Sequence, residues 1–294
     1  MEALSVGHLI RLAASRTWLE TPTPAPPCGP PKTIQFKRRP GWRTAPNAGI
    51  MCSMKGYGED LAYVHDVGFS EYCLNAAPGL LRALKENGIN GGLVIDLGCG
   101  SGRWARRLNR AGYEVLGVDQ SPSFIRLARK IAPHSRFINA SLLRLPLPAC
   151  AAVTSIGECL NYAFDRKAGK TELARLFARV YGALAAGGVF IFDAAEPARI
   201  PENGLRREWF QGADWAILVE TAGDRKQNSL TRKITCFRQR GRLFRRSIET
   251  HRLHLYRGAE IVEMLSQAGF KTECLDAYGH FRLPVGITAF LARK

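Results

Sequence analysis

The chain reads as an α/β fold: a seven-stranded, mostly parallel sheet with helices on both faces and a small antiparallel β insertion. Three observations carry this expectation. From residue 93 to 193, short apolar runs alternate with segments of helical period, the rhythm of strand, helix and strand that builds a parallel sheet covered on both sides. Two of the runs, Leu93 to Leu97 and Val115 to Asp119, hold an acid at or next to their carboxyl end, and the first turns on glycine at alternate positions. After Asp193 the pattern changes to long runs of alternating polarity, which belong to antiparallel strands.

Taken in order, residues 1 to 50 hold eight of the sixteen prolines and no sustained apolar period, and read as a disordered or dispensable extension. An Arg-containing amphipathic stretch at 7 to 19 keeps a targeting peptide open, and Met51 and Met54 offer alternative starts. The segment 57 to 72 is a polar and aromatic lead-in, followed by a helix from Pro78 to Asn87 closed by Gly88. Core strands are expected at 93 to 97, 114 to 118, 136 to 140, 150 to 156 and 188 to 193, with helices at 103 to 111, 122 to 131 and 170 to 185. Ser121 before Pro122 is the natural cap of the second of these helices. Runs at 214 to 222, 228 to 239 and 242 to 256 form the insertion, the last two meeting as a hairpin at Arg240 and Gly241. A helix from Gly258 to Gln267 and strands at 271 to 277 and 286 to 293 complete the core. The expected organisation is therefore 1 to 50 extension, 51 to 200 cofactor-binding core, 201 to 257 antiparallel cap, and 258 to 294 the end of the core.

The chemistry concentrates at Asp96, Leu97, Gly98, Cys99, Gly100, Ser101, Gly102. Glycines at a strand-to-helix turn let main-chain amides reach a ligand that side chains would hold away, and the next helix aims its amino end there. A dinucleotide loop needs a further glycine where Arg103 stands. The spacing GxGxG, with an acid two residues upstream, resembles motif I of the class I S-adenosylmethionine-dependent methyltransferases. Asp119 stands about twenty residues beyond, where such Rossmann-like folds keep the acid that binds ribose hydroxyls.

The resemblance covers residues 57 to 200 and 258 to 294, and implies S-adenosylmethionine as methyl donor. It implies that Asp96 and the backbone of Gly98, Gly100 and Gly102 hold the methionine portion, that Asp119 holds the ribose, and that Gln120 flanks the adenine. Where the family has an acid for the adenine amino group, this chain has Asn139, Ala140, Ser141, Leu142, so Ser141 is expected to take that contact with Leu142 beside it. Glu158, Asn161 and Tyr162 follow the fourth strand, at the sheet edge where open α/β folds bind ligands. Glu158 and Tyr162 are the candidate catalytic pair, with Glu158 also touching cofactor. Tyr57, Tyr63 and His65 are candidates for a lid, and Asn161 and His254 for the acceptor side.

Composition narrows the partners. No apolar run approaches the roughly 18 to 20 residues that cross a bilayer. The eight cysteines include no CxxC pair and no zinc-type cluster, so a metal is not expected and a reducing cytoplasm is. Much of the net charge of +17 lies in two places: seven Lys/Arg against two Glu in residues 1 to 50, and thirteen Lys/Arg against five acids in 206 to 257. The basic residues of the insertion are expected to stand without exposed stacking aromatics beside them, which argues for a small-molecule acceptor over nucleic acid. An RNA or protein methyltransferase, and a non-catalytic cofactor-binding regulator, are the alternatives.

Overall fold

A computed structural model describes residues 56–294; the expectations for residues 1 to 50 lie outside it. The chain begins with α1 (Glu59–Gly68) and α2 (Glu71–Glu86). There follow β1 (Leu93–Leu97), α3 (Arg103–Arg110), β2 (Glu114–Asp119), α4 (Pro122–Ile131), β3 (Arg136–Asn139), β4 (Cys150–Ser155), α5 (Lys170–Ala183) and β5 (Leu184–Ala195). An inserted unit, β6 (Leu205–Gln211), β7 (Trp215–Asp224), β8 (Ser229–Arg240) and β9 (Leu243–His254), precedes α6 (Gly258–Gln267) and β10 (Lys271–Leu275). A short hairpin, β11 (Ala277–Tyr278) with β12 (Phe281–Arg282), leads to the last strand, β13 (Ile287–Arg293). No described helix is long and apolar enough to cross a membrane.

The seven-stranded sheet runs β10, β13, β5, β4, β1, β2, β3, with β13 antiparallel to both neighbours and the other pairs parallel. The strand order reverses between β1 and β4. That reversal opens a crevice at the carboxyl edge, where doubly wound sheets bind ligands.

Alternation along the strands covers both faces. Val189 and Ile191 of β5 join α2 and α3 through Leu80, Leu84, Trp104 and Leu108, whereas Phe190 and Phe192 join α5 and α6 through Leu176, Phe177, Ile261 and Leu265. Phe192 stacks on Phe190 and Phe290 at centroid distances of 4.4 and 5.0 Å. Such pairs add about 0.5–1.5 kcal/mol beyond area burial.

The differences from expectation have physical causes. The lead-in is not a loop: it folds as α1, because Leu61 and Val64 bury against Trp215, Ile217 and Ile234 of the insertion, a distant partner with no local sequence signal. α2 begins at Glu71 rather than Pro78, which lies inside the helix. The buried face of Ala76, Ala77, Leu80 and Leu84 outweighs the one helical hydrogen bond that proline forgoes. The insertion has four strands rather than three, since β6 pairs with β7 over Leu205 to Gln211 and closes the sheet edge.

Candidate functional site

The three glycines of the β1 turn all take positive φ, +78° at Gly98, +52° at Gly100 and +79° at Gly102, yet they do different work. A Cβ on Gly98 would meet Cys159 Sγ at 2.6 Å, and one on Gly102 would meet Ala128 Cα at 3.0 Å, so both are packing glycines. A Cβ on Gly100 would meet nothing within 4 Å. Only Gly100 faces open space.

Asp119 ends β2 beside it. Its Oδ2 accepts from Gly100 N at 3.0 Å and its Oδ1 from Ser121 N at 2.8 Å. Each oxygen keeps a lone pair for an incoming donor. Burial pushes the carboxyl up to about 6, against those two amide bonds. Ser121 caps α4 as expected, accepting from Phe124 N at 3.2 Å. Gln120 is half-buried between the two residues. Asp96 lies deeper: Thr154 Oγ1 donates to it at 3.0 Å, Trp104 Nε1 donates to that hydroxyl at 3.1 Å, and burial pushes the Asp96 carboxyl up to about 7.

Ser141 does not stand free for an adenine. Its hydroxyl donates to Asp165 Oδ2 at 3.1 Å, and Arg144 binds the other oxygen of the same acid at 2.6 Å. An acid therefore does reach this corner, contributed by the segment after β4 instead of by β3. Leu142 packs into the α5 and α6 side of the core instead of lying open beside Ser141.

The turn after β4 is held by Asp193, fully buried at the end of β5. Asp193 accepts from the backbone N–H of Gly157 and Glu158, and from the phenols of Tyr72 and Tyr278 at 3.1 and 3.0 Å. Glu158 is left-handed at φ +54°, which aims its side chain toward the insertion. There it forms an ion pair with Arg232 of β8. Burial pushes the Glu158 carboxyl up, but Arg232 and Arg199 outweigh this and hold it below the usual carboxylate range. Glu158 Oε2 is buried without a hydrogen-bond partner.

Tyr162 stands next in this cluster. Its phenol lies 3.0 Å from that of Tyr57 and accepts from Arg232 at 3.3 Å, while its ring stacks on Phe164 at 4.8 Å. Tyr57, at φ +57°, is tied from three sides: its N–H donates to Glu249 Oε2 at 2.7 Å, its carbonyl accepts from Ser121 Oγ at 2.7 Å, and its ring packs on His251 at 4.8 Å. Gly58 N also donates to Glu249, at 2.8 Å, so this carboxylate of β9 serves the free amides at the start of α1. Tyr57 thus lies over the Asp119 turn, and His65 packs beside it at 5.3 Å. Burial pushes the His65 imidazole down to about 4, so it is neutral near pH 7.

Three sequence candidates fall elsewhere. Tyr63 points outward, donating to Asp214 at 2.9 Å with Arg238 over its ring at 3.6 Å, because α1 turns that face to the insertion. Asn161 is buried and structural: its amide bonds Ala195 N, Ala195 O and His254 O. Its polar capacity goes to the backbone, leaving none for an acceptor. The ring of His254 lies on the opposite face of β9 from His251, and it is the buried His251, bound to Glu249 at 2.9 Å, that joins the cluster. Alternation along β9 puts the two histidines on opposite faces. The register of Arg232 opposite His251 decides between them.

Of the thirteen Lys/Arg in residues 206 to 257, six form ion pairs, namely Arg206, Arg207, Arg232, Arg238, Arg240 and Arg245, and the insertion exposes Trp209 and Phe244, against the expectation that its charges stand without exposed stacking aromatics. Asp60, buried on α1, takes Arg245 at 2.5 Å and Arg238 and Arg240 at 3.4 Å, and Glu59 takes Arg240 and Arg245 again.

Comparison with known proteins adds a family to this geometry. Residues 94–188 match the family model described as a methyltransferase domain. A protein of Geobacillus sp. (strain WCH70) named as a methyltransferase is 29% identical over 142 residues, 46% of this chain and 56% of the relative. A trans-aconitate 2-methyltransferase of Paracidovorax citrulli is 28% identical over 131 residues, 44% of this chain and 48% of the relative. The chain spans about half the length of these two relatives. The structure of a sugar N-methyltransferase from Streptoalloteichus sp ATCC 53650 superposes with a TM-score of 0.69 at 18% identity, over 86% of this chain and all of the other, a likeness of fold.

Proposed function

We propose that this protein, whose residues 94–188 match a methyltransferase-domain model, is a class I S-adenosylmethionine-dependent methyltransferase that methylates a small-molecule acceptor. The observation that carries the reading is the pairing of Gly100, open where a Cβ would stand, with Asp119, whose carboxylate keeps acceptor capacity on both oxygens. When bound there, S-adenosylmethionine supplies a methyl group activated by its sulfonium.

The residues of the chain then have distinct tasks. Asp119 accepts from ribose hydroxyls, and the backbone of Gly98, Gly100 and Gly102 lines the approach, with Asp96 behind it. Asp165, through Ser141, provides the acid at the adenine end. Tyr57 and His65 cover the turn and exclude water. Tyr162, Phe164 and His251 form an aromatic wall at the edge of β4, which favours a cationic sulfur. Glu158 is ionised and therefore a weak base; its free oxygen orients a hydrogen-bond donor of the acceptor more readily than it removes a proton. Alignment of acceptor and methyl is the main contribution, worth roughly 7 to 11 kcal/mol of barrier where geometry is good.

A small acceptor is supported by the names of similar proteins, a trans-aconitate 2-methyltransferase among the relatives and a sugar N-methyltransferase among the structures of like fold. It is supported too by the ion pairs that occupy Arg238, Arg240 and Arg245, which leave those groups poorly placed to track a phosphate backbone. The free thiols of Cys73, Cys99, Cys150, Cys159, Cys236 and Cys274 suit a reducing compartment such as the cytoplasm. Calorimetry with S-adenosylhomocysteine tests the core of the reading: binding is expected, weakened by Asp119→Ala by roughly ten- to a hundredfold through loss of a charge-assisted contact. Tighter binding of NAD than of S-adenosylhomocysteine would overturn it.

A further inference from the structure

Arg199 is a cation without a counterpart. It ends the short 3-10 turn Pro197–Arg199 after β5, and among the described residues it makes no ion pair. Its one side-chain hydrogen bond among the described residues is long and exposed, Nη1 to the carbonyl of Val285 at 3.4 Å, and its Nε is buried with no partner. Buried donors of this kind are nearly always satisfied in a working state, and a guanidinium more so than any. The groups close enough to act on its charge are Glu158, Arg232, Arg206 and Tyr72. They come from the turn after β4, from the inner face of the insertion and from α2.

Two of these neighbours are already committed. Arg232 is bound to Glu158, and Arg206 lies 2.9 Å from Glu208. Glu158 nonetheless keeps Oε2 buried and unpartnered. The corner beside Tyr162 therefore offers an orphaned cationic donor and an orphaned anionic acceptor from residues that act on each other's charge. Neither satisfies the other in this arrangement. A ligand that completes both must present an anion to Arg199 and a hydrogen-bond donor to Glu158.

Resting on the methyl-transfer reading, we propose that Arg199 is the anion-binding residue of the acceptor site, and that the acceptor is a small carboxylic acid bearing a hydroxyl or amino group. The carboxylate takes the planar fork of Arg199, which presents parallel N–H donors to two oxygens. The hydroxyl or amine donates to Glu158 Oε2. Arg232 holds Glu158 ionised so that it accepts only. A neutral acceptor would leave Arg199 Nε without an acceptor, and is bound more weakly for that reason.

The test uses the full chain saturated with S-adenosylhomocysteine, with thermal melting as readout and malonate as the carboxylate probe. Malonate is expected to raise the melting temperature with saturation, the uncharged malonamide not to, and Arg199→Ala to shift half-saturation by malonate at least about tenfold upward. Arg199→Lys keeps the charge without the fork and is expected to fall between. Arg252→Ala, an exposed position of β9, is expected to match the wild type. Unchanged affinity for S-adenosylhomocysteine in each variant reports that the fold is intact. Equal stabilisation by malonate and malonamide, an equal malonate response in wild type and Arg199→Ala, or no malonate response at all would overturn the proposal. So would inorganic phosphate saturating at lower concentration than malonate, which would assign a phosphorylated acceptor. Failure of the wild type to bind S-adenosylhomocysteine would instead overturn the methyl-transfer reading itself.

Discussion

Replacing each glycine of the β1 turn by alanine separates the packing role of two from the ligand role of the third. All three sit at positive φ, so every substitution costs about 1–2 kcal/mol of left-handed backbone strain. Gly100→Ala adds nothing to that, because its Cβ would enter open space. Gly98→Ala adds an overlap with Cys159 Sγ at 2.6 Å and Cβ at 2.7 Å, neither of which can swing clear, since the Cys159 thiol lies in the turn fixed by Asp193. Overpacking of this kind costs about 1–3 kcal/mol more, for a sum of about 2–5 kcal/mol. At about 2–4 °C per kcal/mol in a domain of this size, Gly100→Ala lowers the melting temperature by about 2–8 °C and Gly98→Ala by about 4–20 °C. Affinity is expected to run the other way: on the proposed function the new methyl of Gly100→Ala stands where the cofactor would lie, weakening S-adenosylhomocysteine by more than about tenfold, or 1.4 kcal/mol. Melting and calorimetry on the two variants decide the matter. Wild-type affinity in Gly100→Ala, or a Gly98→Ala protein more stable than Gly100→Ala, would refute the division of labour.

Three other outcomes follow from the same geometry. On the proposed function Asp119 accepts from ribose most strongly when ionised, and burial pushes its carboxyl up to about 6, so S-adenosylhomocysteine affinity is expected to hold above that pH and fall below it, by up to about tenfold per unit; a flat calorimetric profile down to pH 5 would contradict this. His65 is lowered by burial from 6.5 to about 4, so its contribution to stability is complete above pH 6.5 and is lost as pH falls from 6.5 to 4, by at most about 3 kcal/mol; in denaturant titrations His65→Phe is expected to remove that part of the acid slope. Asp193→Ala strips the acceptor from two amides and two phenols, and is expected to destabilise by at least about 3 kcal/mol and to lower methyl incorporation far more than S-adenosylhomocysteine affinity, since it frees Glu158 while leaving the β1 turn in place.

The half of the site proposed to hold the cofactor is legible in the sequence as a structural unit because it is local. The turn Gly98 to Gly102 and the acid Asp119 are each fixed by a few consecutive residues, and the cap Ser121 with Pro122 lies in one tripeptide. Asp193 carries the same signature, an apolar strand ending in an acid, and could have been singled out with Asp96 and Asp119. The acceptor half depends on pairs far apart in sequence. Arg232 lies 74 residues from Glu158, and Glu249 lies 192 from Tyr57. Nothing in either local sequence says which arginine or which glutamate will arrive. Asn161 shows the same limit in reverse: an amide beside Glu158 looks available until the backbone of Ala195 and His254 claims every polar atom it has.

The charge of the insertion takes on a different meaning once its partners are known. A run of arginines reads from sequence as a surface for an anionic macromolecule, but the inner-face members point at acids of α1 and of the β4 turn. Asp60 is 4% exposed and shares three arginines, with burial pushing its carboxyl up and Arg245, Arg240 and Arg238 together holding it below the usual range. A carboxylate so placed cannot be left without those cations at small cost, and the arginines in turn bind α1 to the inserted sheet. The same α1 begins at Gly58 and Tyr57, whose amides Glu249 accepts, so the ion pairs that join helix to insertion also fix the residue that covers Asp119. Positive charge therefore acts first as internal attachment for the covering segment. Arg199, at the end of the turn after β5, makes no ion pair among the described residues and its buried Nε lacks a hydrogen-bond partner, which is why the anionic part of the proposed acceptor is assigned to it and not to an arginine already bound to an acid.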